Sequence, residues 1–297
     1  MNKRWLLLAV AVLVCSGCAT VPYTYSRNIE NPATLDLRPH EAQIERGRPV
    51  AVVDGLGHYL FSLPDKLILW NWSVDNHDIS PQTEQALADY LAANDLQNVK
   101  VRLNEYAPGG EWRRLVKNHA INGFWRYTVG AVTVTFYTIL PGRLFGGDNY
   151  NPFTNTVNIY SDHPAIAVHE GGHAKDFAGR EYKGLYATAR LLPLFPLYQE
   201  ALATGDAIGY DKAEDEPQQE KAAYKILYPA YGTYIVGEGL NLASWFTPVS
   251  YPVQLAIQLV AAVPGHIAGR IKAAQVEEPA DAATLPEGAP KLAGAAP

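Results

Sequence analysis

The chain has 297 residues, 24 of them basic and 30 acidic, for a formal net charge of −6. A mildly acidic chain without runs of Lys or Arg lacks the electrostatic footprint of a nucleic-acid binder. Its two cysteines, Cys15 and Cys18, lie together near the N-terminus, so a metal site in the body must draw on His, Asp and Glu.

Lys3 and Arg4 precede the apolar stretch Leu6 to Val14 and the small residues Ser16-Gly17. Residues 1–17 therefore read as an export signal, too short to remain as a spanning helix. Cys15-Ser16-Gly17-Cys18 resembles the bacterial lipobox, with Cys15 where that pattern usually has leucine. The resemblance implies a Cys18 acylated after cleavage, hence a cell-envelope protein anchored in a membrane. Ala19 rather than Asp after the cysteine implies the outer membrane, with the body facing the periplasm. Ordinary secretion, with cleavage near Ala19, is the alternative. Loss of residues 1–17 removes two basic residues and no acid, leaving 22 against 30 and a charge of −8. Residues 18–48 are polar, carry Pro22, Pro32 and Pro39, and read as a tether.

Val50 to Val53 and Lys66 to Trp72 have the composition of strands, and Asn98 to Leu103 alternates like a half-buried one. Between them, Ser80 caps a helix over Pro81 to Ala93, with Pro81 in its first turn. Glu111 to Ala120 reads as a further helix, which makes the class α+β or α/β. Residues 127–140 alternate as Val132-Thr133-Val134-Thr135-Phe136, which favours a strand over a buried or membrane-surface helix. After a Gly/Asn/Pro loop, Thr156 to Tyr160 reads as a short strand. Ser161 and Asp162 are placed to cap a helix over Pro164 to Ala178 that Gly179 ends. Pro196 to Tyr210 reads as another helix. Residues 216–272 form an apolar, helical C-terminal part. In it Ala261, Gly265 and Gly269 make a small-residue stripe suited to close helix packing. Residues 273–297 lack aromatics and read as a disordered tail.

The helix over 164–178 carries His169-Glu170-Gly171-Gly172-His173. At 100° per residue the two imidazoles lie about 40° apart on one face, with Glu170 about 60° from His173. Ala167, Gly171, Ala174 and Ala178 collect on the opposite side, where a neighbouring element can approach, and Lys175 marks a solvated edge. Two histidines four apart with a glutamate beside the first are spaced to hold one zinc ion and to move protons next to it. Two core histidines with a salt-bridged glutamate are the alternative. No GxSxG, P-loop or Gly-rich dinucleotide signature competes.

Over residues 155–180, and more loosely to about 210, the chain resembles the zincin superfamily of zinc metallopeptidases. The resemblance implies an α+β fold in which a small sheet supports the HExxH helix. It also implies a metallopeptidase domain over 49–215, a Zn2+ cofactor and a peptide or protein substrate. His169 and His173 become ligands and Glu170 the general base. The strand before the helix, Thr156 to Tyr160, would take substrate in extended form. A metzincin would need glycine at Asp176, histidine at Gly179 and a later methionine, and the single methionine is Met1. A gluzincin takes its third ligand from a glutamate on a second helix. Here that is Glu200, flanked by Leu197, Ala203 and Thr204.

Thr204 stands where gluzincins often have an acid supporting a ligand histidine. Asp206 is the nearby candidate for that outer contact, or for the ligand itself. Asp176, in line with His169, is a second outer candidate, with a pair to Lys175 or Arg180 as its alternative. Tyr228, Tyr231, Tyr234 and His266 are transition-state donors by side-chain type alone. His163 reads as a cap or substrate-loop residue, and His58, His77 and His119 have no ligand spacing. Two other readings stand beside the peptidase. One is a non-catalytic envelope protein that keeps the fold as an assembly module. The other is a membrane-associated protein acting through residues 127–145 and 245–272.

Overall fold

The computed structural model describes residues 23–26, 42–244 and 250–278. The signal segment, Cys18 and residues 279–297 of the expected tail lie outside them. Four strands, β1 (Ile44–Arg46), β2 (Lys100–Leu103), β3 (Asn149–Asn151) and β4 (Thr156–Ile159), form one sheet in the order β1-β2-β4-β3. β1, β2 and β4 run parallel, and β3 is antiparallel to β4. The helices in chain order are α1 (Ala51–Leu56), α2 (Leu63–Leu69), α3 (Pro81–Ala93), α4 (Pro108–Lys117), α5 (Gly123–Trp125) and α6 (Ala131–Ile139). They continue with α7 (Gly142–Phe145), α8 (Pro164–Ala178), α9 (Lys183–Ala189), α10 (Phe195–Ala213), α11 (Pro217–Ser244) and α12 (Tyr251–Ala274). Single π-helical turns, Gly57–Phe61 and Arg126–Gly130, follow α1 and α5. The architecture is α+β, a small sheet within a largely helical body.

The period-2 pattern of β2 and β4 sorts two kinds of buried side chain. Val101 and Leu103 stand in register with Val157 and Ile159, and join Leu87, Tyr90 and Leu91 of α3 and Ala167 and Val168 of α8 in the main core. The other face is polar and also buried. There Arg102 meets Glu111 at 2.9 Å, Glu105 at 2.7 Å and Glu45 at 3.0 Å. The pairing offsets the cost of burying these charges, although one Glu111 oxygen has no hydrogen-bond partner among the described residues. The strand expected to be half-buried is thus buried on both faces.

Three expected strands are helices. Asp54 accepts the Val50 amide at 2.6 Å across the first turn of α1. In α2 Pro64 stands in the first turn, and the buried Lys66 ammonium reaches Ser62 Oγ at 2.6 Å and the Val74 carbonyl. In α6 the alternating threonines that suggested a strand bond back along their own helix, Thr135 to Ala131 O and Thr138 to Val134 O, both within 2.8 Å.

The expected tether is also partly structured. β1 lies within it, and Tyr23 packs on α10, its Cβ 2.9 Å from where a side chain on Gly209 would begin. Asp162 caps a different helix from the one expected. It accepts from Ser80 N at 2.9 Å, Ser80 Oγ at 2.7 Å and Thr83 Oγ1 at 2.6 Å at the start of α3, while α8 begins after His163 without a side-chain cap. The expected small-residue packing is present. A Cβ on Gly269 would stand 2.2 Å from Tyr224 O and one on Gly265 2.5 Å from Tyr228 O, so α12 lies directly on α11.

Candidate metal centre

The two glycines of the motif position the site. A Cβ on Gly171 would meet the Tyr90 ring of α3 at 2.7 Å, and one on Gly172 would meet Ala203 O of α10 at 3.1 Å. Glycine thus lets α10 close on α8, although each glycine costs a helix interior about 1 kcal/mol against alanine. The approach sets Glu200 opposite the two histidines. Glu200 Oε2 lies 3.1 Å from His169 Nε2 and 3.3 Å from His173 Nε2, and the imidazoles stand edge to face with centroids 4.7 Å apart. Ligand atoms of His169, Glu170 and His173 lie within 4.8 Å of one another.

These separations test the donor set. Ligands of a tetrahedral zinc at about 2.0–2.1 Å stand about 3.3 Å apart, close to the two distances found. Two imidazole nitrogens and one carboxylate oxygen are also the chemistry such an ion takes. The residues present fit a divalent cation.

Charge at the centre follows from burial. Glu200 is 1% exposed. Burial alone would raise its pKa, but His173 and His169 overcome that and hold it ionised well below the usual range. Burial alone would lower the His173 pKa, but Glu200, with Glu170 adding, turns the net shift upward. Glu170, 6% exposed, has its pKa raised by burial, partly offset by His173 and His169. Among the described residues no hydrogen bond holds its carboxylate, which faces a cavity of about 240 Å³ shared with His169, Thr204 and Tyr234. Glu200 raises the Tyr234 pKa most, with burial and Glu170 adding, so its hydroxyl stays protonated.

Arg190, at the end of α9, donates to Glu200 Oε1 at 2.6 Å. No spacing in the sequence marks it, because α9 meets α10 only through the fold. The far wall of the cavity holds Asp65, Asp75 and Asp148, also unmarked by any motif. Burial, reinforced by Asp148, pushes Asp75 up to about 8, and Asp148 accepts the Tyr160 and Ser161 amides at 2.6 and 3.0 Å.

Other expected site residues lie elsewhere. Asp206 accepts from Lys175 Nζ at 2.7 Å and from the Tyr90 hydroxyl, on the far side of α8. Lys175 is therefore buried rather than at a solvated edge, with its ammonium 3.9 Å from the Tyr23 ring centre. Asp176 pairs with Arg180 and Tyr186. The position facing His169 Nδ1 belongs to Thr204, whose Oγ1 lies 3.5 Å away. His266 stacks on Trp70 at 3.8 Å and reaches Ile68 O at 2.8 Å, away from the centre. Tyr231 lines the cavity but gives its hydroxyl to Leu197 O at 3.3 Å, and Tyr228 packs on Tyr224. Among the candidate donors, Tyr234 has a hydroxyl that feels Glu200 and Glu170.

β4 is paired on both edges, by β2 and by β3, so the strand expected to take substrate has no free edge. The open edge of this end of the sheet belongs to β3. Comparison with protein-family profiles, curated proteins and solved structures finds no match for this chain.

Proposed function

We propose that the protein is a zinc-dependent peptide hydrolase of gluzincin type, held at the cell envelope by a lipid on Cys18. The observation that carries the reading is Glu170: a buried carboxylate without a hydrogen-bond partner among the described residues, facing a cavity beside two imidazoles that share one oxygen of Glu200. A structural zinc site needs no such group, since its ligands close the coordination sphere.

His169, His173 and Glu200 would hold the ion, which when bound polarises a carbonyl and brings the pKa of water toward about 7. Glu170 accepts a proton from the attacking water and delivers it to the leaving amine. Burial, which raises its pKa, suits it to both steps. The Tyr234 hydroxyl, kept protonated, donates to the oxygen on which charge develops. Arg190 fixes Oε1 of Glu200 and leaves Oε2 to face the histidines, and Thr204 orients His169. An extended peptide pairs along β3, beside a groove of about 360 Å³ that β3 shares with Arg190, Phe136 and Leu191. The lipobox-like N-terminus supports placement at the outer membrane, facing the periplasm.

The test is Glu170→Gln, with zinc content and casein cleavage measured beside the wild type. Zinc retained with hydrolysis lost supports the reading. A folded wild type that binds no zinc, or a variant as active as wild type, overturns it.

A further inference from the structure

Among the described residues, α12 alone is long and apolar enough to cross a membrane. Its packing assigns it another place. Ala262, His266, Gly269 and Ala273 are buried against the body, while Val260, Val263, Ile267 and Ile271 are exposed. At 100° per residue those four fall within an arc of about 80°. A second uncovered stripe runs along α2, where Leu63, Leu67 and Trp70 recur at helical spacing and are all exposed. Trp70, at the end of the second stripe, stacks its indole on His266 of α12 and lies 4.9 Å under the Arg270 guanidinium.

Beside that junction is a cavity of about 390 Å³ lined by Trp70, Asn71, His163, Lys221, Lys225 and Arg270, with no acidic side chain in its wall. Lys221 pairs with Glu278 at the rim, and Lys225 makes no ion pair among the described residues. The chain carries a net charge of −6, so this local excess of cations is not a general property of its surface. The sequence shows no basic run because the cations come from α11 and α12 and meet only when the two helices pair.

We propose that this face docks on a bilayer containing anionic phospholipid, with a headgroup phosphate in the Lys221–Lys225–Arg270 pocket. The two apolar stripes then rest in the acyl boundary. A free phosphate would occupy the pocket and leave both stripes unexplained. A second copy docked through this same face would set one basic pocket against another. A basic pocket bordered by aliphatic stripes, with an indole at the boundary, matches the interface of an anionic leaflet. The buried side of α12 keeps it flat on the protein, so it lies along the surface rather than across it. This surface requires no hydrolase activity and no acyl chain.

The test uses the mature chain from residue 18 onward carrying Cys18→Ser, so that neither the apolar leader nor a lipid anchor contributes. It is sedimented with vesicles of phosphatidylcholine alone, or with roughly a one-third share of phosphatidylglycerol. Binding should be about tenfold tighter or more on the anionic vesicles and fall as salt rises. Lys225→Glu, at an exposed position, should weaken it about tenfold with an unchanged melting curve. Ile267→Ser with Ile271→Ser should weaken it while leaving zinc content intact. Equal binding to neutral vesicles, no binding to either, or full binding by Lys225→Glu overturns the proposal. So does stabilisation by inorganic phosphate in a protein that ignores vesicles.

Discussion

Arg190 and Glu200 share a 2.6 Å charge-assisted hydrogen bond through Oε1, and Oε2 of the same carboxylate faces both His169 and His173. One guanidinium thereby sets which oxygen is free for an ion. Arg190→Ala should loosen that orientation and weaken zinc binding about 10- to 100-fold, as loss of an outer partner typically does. Titration against a competing chelator measures it. Arg190→Lys, which keeps the charge but not the fork, should recover part of the affinity.

Glu200→Ala should abolish zinc binding, while Asp206→Ala should leave it intact. Asp206 instead neutralises the buried ammonium of Lys175 at 2.7 Å. Its loss strands that charge and should cost on the order of 3 kcal/mol of stability. Metal analysis beside urea unfolding separates the two effects. Zinc loss in Asp206→Ala would move the third ligand to that residue.

Tyr234→Phe should keep zinc and substrate affinity but lower kcat by about 100-fold or more, the usual consequence of removing one donor to a developing oxyanion. Glu200 and Glu170 keep that hydroxyl protonated. A change confined to KM would make Tyr234 a binding residue only.

The local part of the site was legible and the convergent part was not. His169, Glu170 and His173 sit within five residues, so helical geometry alone puts them on one face. Glu200 came from the resemblance to gluzincins, which take a third ligand from a glutamate on a second helix. Thr204 was visible as a departure from the gluzincin pattern, yet its hydroxyl turned out to face His169 Nδ1 itself. Arg190, Asp75 and Asp148 reach the cavity from separate segments, and no periodicity encodes that meeting. In the fold, Pro81–Ala93 and Pro164–Ala178 match because proline starts and apolar spacing agree. Residues 127–140 misled because Thr133, Thr135 and Thr138 satisfy their hydroxyls on carbonyls three or four residues back, which a composition argument counts as β preference.

Stability should fall as pH rises through neutrality, in part because of Asp211. Burial, with Glu220 and Glu216 adding repulsion, raises its carboxyl from 3.8 to about 7, and one oxygen has no hydrogen-bond partner among the described residues. The folded state therefore favours the protonated form. The associated stability is fully present below about pH 3.8 and is lost as pH rises through about 7. Asp211→Asn removes the ionisation, so it should stabilise the protein at pH 8, by a few kcal/mol at most, and little at pH 4. Thermal melts of both proteins across that range check the sign. A variant less stable at pH 8 would refute the assignment.

Gly171→Ala opposes two effects of known size. Alanine gains about 1 kcal/mol of helix propensity. Its Cβ, however, would sit 2.7 Å from Cδ1 and 2.8 Å from Cε1 of Tyr90, with Leu87 Cδ1 at 3.2 Å. Tyr90 is fully buried and its hydroxyl is held by Asp206, so the ring has nowhere to turn. Overpacking of this kind costs about 1–3 kcal/mol, so the net change should be destabilising by about 1 kcal/mol, a fall of a few degrees in Tm. Because α3 backs the helix that carries both histidines, zinc affinity should fall with it. Gly205→Ala on α10, where a Cβ meets nothing within 4 Å, should do the opposite and stabilise. If both substitutions stabilise, the glycines of the motif are not packing residues, and the close approach of α3 is not what places His169 and His173.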